Sequence, residues 1–263
     1  MDLGDALTTA REAARRAGEK LLSYYTSEYD IHHKSGGNPV TTADIEANQV
    51  LHETLLGAFP DAGWLSEESI DNSERLEKEW VWIVDPLDGT MEFIRGIDEF
   101  AVSVALVQGA MPVVAVTYNP ATGCMTHCRQ GSGAFRNGRP VRVSDRPRLK
   151  GATALGSRSE TRRGLLAGFE GIVEITPTGS IAHKLAEFAG AQADLTVSLA
   201  PKNEWDICAG VLLAEEAGAK VTDLDGKPFS FNQADTLCNG VIAANPALYP
   251  ELFRLVAERE RQR

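Results

Sequence analysis

The stretch Trp80-Val81-Trp82-Ile83-Val84 runs without a polar residue straight into Asp85-Pro86-Leu87-Asp88-Gly89-Thr90. An unbroken series of aromatic and β-branched residues reads as a strand buried in a sheet. The proline and glycine that follow end it in a turn. Two carboxylates are thereby delivered to the edge of an apolar layer, where charge is costly unless paired, protonated or bound to a cation. A fold for this chain must bury the strand and bring something positive to its end.

The rest of the sequence supplies the burying layers. Leu3, Ala6, Leu7, Ala10, Ala13, Ala14, Ala17, Leu21, Leu22 and Tyr25 form a helical stripe over residues 3–26. Thr41-Thr42-Ala43-Asp44 has the hydroxyl-x-x-acid pattern that starts a second helix. Strands follow over 101–107 and 112–118, and Gly131, Gly133 and Gly138 suit the tight turns of a meander. Beyond that point strands near 152–156, 172–175 and 193–197 alternate with helices near 180–190, 205–217 and 246–258. Such alternation predicts an α/β fold of helices layered on sheets. Ser144-Asp145-Arg146-Pro147-Arg148 is a break in composition that divides the chain into α/β halves, 1–146 and 147–263.

With 263 residues, 43% hydrophobic and 24% charged, the chain can bury a core without staples. Its net charge of −11 argues against a nucleic-acid polymer or an anionic membrane as partner. Four cysteines are too few for a disulfide framework, and Cys124 and Cys128 are expected to flank a β-turn rather than hold zinc with His127. The opening Met1-Asp2-Leu3-Gly4-Asp5 has no signal-peptide character, and apolar runs such as 112–116 are too short to span a bilayer. A cytoplasmic location is expected.

Acids recur where solvation does not call for them. Glu67-Glu68 follows the apolar Gly63-Trp64-Leu65, Asp206 opens the apolar helix Ile207-Cys208-Ala209-Gly210-Val211-Leu212, and Asp44 stands in the first turn of its own helix. All-oxygen donors without neighbouring His or Cys select a hard cation, Mg²⁺ first. Backbone N–H groups of Gly89 and Thr90 are placed to cradle an anion beside it. A cation with an N–H cradle makes a phosphate site.

In this order Asp44, Glu67-Glu68, Asp85-Pro86-Leu87-Asp88-Gly89-Thr90 and Trp205-Asp206-Ile207-Cys208-Ala209-Gly210 resemble the signature of the inositol monophosphatase superfamily, over nearly the whole chain from Lys34 to Ala219. The resemblance implies an αβαβα sandwich and a lithium-sensitive, Mg²⁺-dependent phosphomonoesterase, often a homodimer, acting on a small phosphate ester. It implies one Mg²⁺ on Glu67, Asp85 and the Leu87 carbonyl, a second on Asp85, Asp88 and Asp206, and a looser third near Glu67 and Asp44. Thr90 with Asp44 would orient the attacking water. Glu67, Leu87, Asp88, Gly89, Thr90, Gly179, Ser180 and Asp206 would surround the substrate, with Glu68 and Lys34 in support.

Met91-Glu92-Phe93-Ile94 and Glu99-Phe100 resemble the 3′(2′),5′-bisphosphate nucleotidase branch, and Leu199 stands where inositol phosphatases often carry a substrate-contacting Glu. Met91 departs from the lysine usual in nucleotidases; Lys184 and Lys202 are candidates to meet a second phosphate. The alternatives are an inositol-1-monophosphatase and, in another class, a non-enzymatic metal-binding scaffold. The three-residue spacing of Asp85 and Asp88 disfavours an Asp-x-Asp phosphatase with a covalent intermediate, and the five histidines stand apart from the acidic motifs.

Overall fold

The computed structural model describes residues 1–25, 31–33 and 39–260; Lys34 lies outside them. The helical stripe at the N-terminus forms α1 (Leu3–Tyr24), capped by the Asp2 side chain. Strands β1 (Ile31–His33) and β2 (Pro39–Thr41) pair with each other and lead into α2 (Thr42–Ala58). The expected helix start is a full capping box, in which Thr41 and Asp44 each bond the other's backbone N–H.

The first large sheet contains β3 (Gly63–Ser66), β4 (Trp80–Asp88), β5 (Ala101–Gln108), β6 (Met111–Asn119), β7 (Cys124–Arg129), β8 (Ala134–Arg136) and β9 (Arg139–Val141), side by side in chain order. The β3–β4 pair is parallel and the others antiparallel. Short helix α3 (Thr90–Ile94) interrupts the passage from β4 to β5. Cys124 and Cys128 lie within β7, opposite Asn119 and Ala115, and do not flank a turn; the turn falls earlier, at Gly123, whose φ is 65°.

The second sheet is built from β10 (Ala152–Ser157), β11 (Val173–Thr178), β12 (Leu195–Ser198), β14 (Lys220–Thr222) and β16 (Val241–Ala244), in the order β11-β10-β12-β16-β14. Between these strands run α4 (Arg158–Arg162), α5 (Ile181–Ala189) and α6 (Glu204–Glu216), and α7 (Tyr249–Glu260) closes the described chain. A short pair, β13 (Lys202–Asn203) with β15 (Leu237–Cys238), braces the start of α6.

Strand alternation decides which layer each residue meets. Trp82 and Val84 of β4 pack with α1 and α2 through Ala10, Ala14, Ala17, Leu51 and Leu55. Val81 and Ile83 face the other way, against Leu185, Phe188, Val211 and Leu212 of α5 and α6. Val241 and Ala243 of the second sheet cover the far side of that helix pair, while Ile242 and Ala244 meet Leu252 and Val256 of α7. The outcome is the αβαβα sandwich, with β4 buried on both faces as its composition requires. Among the described residues no helix is long and apolar enough to cross a membrane.

The α5–α6 layer is close-packed at Gly210, where an added Cβ would stand 2.6 Å from Leu185 Cβ, an atom fixed by its own backbone. Alanine gains about 1 kcal/mol of helix propensity over glycine. Overpacking a rigid core costs about 1–3 kcal/mol. Gly210→Ala is therefore expected to lower the thermal midpoint by several degrees; a raised midpoint in a melting experiment would show that the layers yield.

Candidate active site

In a regular strand Asp85 and Asp88, three apart, would point to opposite faces. Instead the ladder to β5 pairs Asp85 with Ser103 and Asp88 with Ala101, so one extra residue is taken up in β4 between them. That bulge returns both carboxylates to one side, and Pro86, with no N–H to offer a ladder, sits in it without penalty. Gly89 then turns the chain at φ 100°, with its Cα so near the 99–100 backbone that a Cβ would lie 2.9 Å from the Glu99 carbonyl oxygen.

Three further elements bring acids to the same place. Glu67 follows β3 directly, and its N–H donates to the Val84 carbonyl of β4 at 3.4 Å. Asp206 lies in the first turn of α6, where Oδ2 accepts the Asn203 N–H at 2.9 Å in a capping box. Carboxylate oxygens of Glu67, Asp85 and Asp206 all come within 4.8 Å of one another. Asp44 is buried at the start of α2, and Thr90 Oγ1 lies 3.2 Å from both its Oδ1 and the Leu87 carbonyl. Asp88 turns Oδ2 toward α5, accepting from Ser180 Oγ and the Ala182 N–H, each at 2.6 Å.

The electrostatics suit a cation. Asp85 is buried; Oδ1 accepts the Leu87 N–H at 2.9 Å, but Oδ2 finds no hydrogen-bond donor among the described residues. Burial, followed by the charges of Glu67, Asp88 and Asp206, raises the Asp85 carboxyl well above the usual range. Burial also raises Asp206, with Asp88 and Glu67 adding to it. Asp44 moves up through burial, against the hydrogen bonds from Thr41 and Thr90. An orphaned carboxylate oxygen within an all-oxygen set is what a hard divalent cation would complete.

Glu67, Asp88 and Asp206 line one wall of a cavity of about 450 Å³ that also takes in Leu87, Gly89, Thr90, Gly179 and Ser180; Asp44 and Asp85 are outside the lining. The remaining wall is basic, with Arg95, Arg158, Arg162, Lys184 and Lys202. Lys184 is buried, its ammonium donating to the Ser180 carbonyl at 3.0 Å; burial pulls its pKa down to about 8 while Asp88 opposes the fall. Arg158 Nη2 donates to Glu99 Oε2 at 2.5 Å, and its Nε lies 3.7 Å from Glu92 Oε1. The same Glu99 oxygen accepts the Gly179 N–H at 2.6 Å. Two lysines of this wall are candidates from sequence, but its arginines are not: Arg158 and Arg162 occur in Arg158-Ser159-Glu160-Thr161-Arg162-Arg163, which reads as surface.

A family model for the inositol monophosphatase family matches residues 2–261. The chain belongs to this family. Like its members it is an enzyme, a phosphomonoesterase. An inositol monophosphatase of Mesembryanthemum crystallinum is 33% identical over 260 residues, which cover 94% of this chain and 93% of that one. The 3′(2′),5′-bisphosphate nucleotidase CysQ of Escherichia coli is 34% identical over 235 residues, covering 87% and 94%. The solved structure of a Thermotoga maritima IMPase matches with a TM-score of 0.87 at 29% identity, over 98% of this chain and 99% of that one. Identities this even leave the family's substrate branches level.

The raised carboxyls fix the sign of a pH effect. A group whose pKa is higher folded than unfolded binds more protons in the native state, so its contribution to stability is lost as pH rises through the folded value. Metal-free protein is thus expected to melt at a lower temperature at neutral than at mildly acidic pH. Added Mg²⁺ should raise the midpoint more at neutral pH, where it does not compete with protons. Calorimetry finding an equal or larger gain in acid would exclude these carboxylates as the binding set.

Proposed function

We propose that this phosphatase is a Mg²⁺-dependent 3′(2′),5′-bisphosphate nucleotidase, converting 3′-phosphoadenosine 5′-phosphate to AMP and phosphate. The observation that carries this reading is the basic wall. One phosphate is served by the acids with their cations and by the Gly89–Thr90 turn, so Arg95, Arg158, Arg162, Lys184 and Lys202 have a second anion to receive. One fact favours the alternative, an inositol-1-monophosphatase: Met91, 39% exposed, lines the cavity where a nucleotidase would carry lysine.

On this reading Glu67, Asp85, Asp206, Asp88 and the Leu87 carbonyl would hold two or three Mg²⁺ ions. Magnesium there supplies Lewis-acid stabilisation of the phosphate oxygens and the leaving alkoxide, and acidifies water. Thr90 spends its single hydroxyl proton on Asp44 or on the Leu87 carbonyl. Its oxygen lone pairs are then directed to accept a proton from the attacking water. With the hydroxyl turned to Asp44, its own proton passes to the Asp44 carboxylate, whose pKa burial has raised, as Oγ1 takes one from the water. The N–H groups of Gly89 and Thr90 orient the phosphate. Glu68 lends support beside them; its N–H donates to Ser66 Oγ at 3.3 Å and its carbonyl lies 3.4 Å from Asn48 Nδ2. The reading also takes 1–146 and 147–263 as two halves meeting at the cavity, which draws Glu67 to Arg95 from one and Ser157 to Asp206 from the other.

Asp85→Asn is expected to abolish Mg²⁺-dependent phosphate release. Because it removes a buried like charge, it should leave the metal-free melting temperature at neutral pH unchanged or higher. Near-wild-type turnover of that variant would refute the metal assignment. The substrate is decided by a panel with Mg²⁺ of 3′-phosphoadenosine 5′-phosphate, inositol 1-phosphate and fructose 1,6-bisphosphate; a clear preference for inositol 1-phosphate overturns the nucleotidase reading. Arg162→Ala should raise KM for the bisphosphate and weaken its dependence on salt with kcat little changed, as expected for a long-range cation. An unaltered KM at low salt would remove Arg162 from the substrate wall.

A further inference from the structure

We infer that Glu160, which lies outside the cavity lining, is the positioning residue that sets the enzyme's discrimination for a second anionic group on its substrate; this rests on the bisphosphate reading above. Glu160 sits in α4 between the two cavity arginines, Arg158 and Arg162, yet its own side chain is only 1% exposed. It points into the protein, toward the segment 198–202 that joins β12 to β13. Its carboxylate accepts the Leu199 N–H at 2.9 Å, the Ala200 N–H at 3.4 Å and the Ser198 hydroxyl at 2.5 Å, and Lys202 Nζ stands 3.7 Å away. Its own N–H donates to Ser157 Oγ at 3.4 Å, and Ser157 is another lining residue.

One buried carboxylate therefore ties the helix that carries two arginines to the segment that carries Lys202. That segment continues through Asn203 into the turn of α6 holding Asp206. A buried carboxylate is retained where its acceptor capacity is filled, and here backbone donors, a hydroxyl and an ammonium fill it. No neutral side chain of the same size can accept all three hydrogen bonds and also hold the ammonium. The negative charge of Glu160 also favours the ammonium form of the buried Lys184. The spacing between the α4 arginines and Lys202 is thus fixed from behind, and that spacing is what a second anion would read.

Glu160→Gln keeps the volume and one acceptor oxygen. Steady-state kinetics with Mg²⁺ compare wild type and variant on 3′-phosphoadenosine 5′-phosphate and on adenosine 3′-monophosphate, which lacks the second anion. KM for the bisphosphate is expected to rise about tenfold or more, with kcat on both substrates and KM for the monophosphate within about twofold. Ser198→Ala, which removes only the hydroxyl on the segment side, should move the same KM in the same direction by a smaller factor. It gives the readout if Glu160→Gln does not fold. An equal loss on both substrates would make Glu160 a general structural residue and overturn the inference. So would a variant that discriminates as well as a discriminating wild type. A wild type that does not discriminate overturns the bisphosphate reading and this inference with it.

Discussion

Repulsion among closely set carboxylates, one buried and two half-buried, is the constraint on which this structure turns. Glu67, Asp85 and Asp206 approach within 4.8 Å, a spacing at which each like-charged pair costs roughly 3–4 kcal/mol for an effective dielectric near 20. Three such pairs rival the whole stability of a typical domain, about 5–15 kcal/mol. The fold answers with helix ends. Asp44 opens α2, Asp88 receives the Ala182 N–H at the start of α5, and Asp206 opens α6. A helix N-terminus offsets only about 0.3–2 kcal/mol of an anion's cost. The helix ends therefore moderate the repulsion without removing it, and the remainder calls for protons or a cation.

The same constraint explains why the layers are where they are. The strand carrying Asp85 has to be buried on both faces to hold its end still, so α1 and α2 cover one side and α5 and α6 the other. The α5–α6 pair then needs a second sheet over its outer face, and that sheet needs α7. Each added layer also brings a contribution to the cavity. Helix α5 follows Gly179 and Ser180, α6 holds Asp206, and the end of β10 passes into α4 with its arginines.

What could be read from the sequence follows from how local each signal is. Asp85 to Thr90 is one covalent segment that supplies both an acid of the cluster and four residues of the cavity lining, and the capping pattern at Thr41 identifies α2 without tertiary information. The bulge that turns Asp88 back beside Asp85 is invisible in the chain, because it exists only in the pairing with Ser103 and Ala101. Arg158, Arg162 and Glu160 carry no pattern of their own; they stand out only in the fold, where α4 lines the cavity and Glu160 bonds 198–200. The cysteines mislead for a related reason: the turn expected between Cys124 and Cys128 falls earlier, at Gly123, and pairing with β6 fixes both within one strand.

The double duty of the site acids divides them into two kinds. Asp206 accepts the Asn203 N–H, and Asp44 accepts from both the N–H and the hydroxyl of Thr41, so each is part of the local architecture of its helix. Asp85 has one oxygen given to Leu87 and the other turned to the cluster. An inactive protein made by replacing Asp44 or Asp206 would lose a helix cap along with its chemistry, and its silence would have two explanations. On the proposed reading Asp85 is the position at which chemistry can be switched off while the scaffold is kept, which makes it the natural choice for trapping a bound substrate.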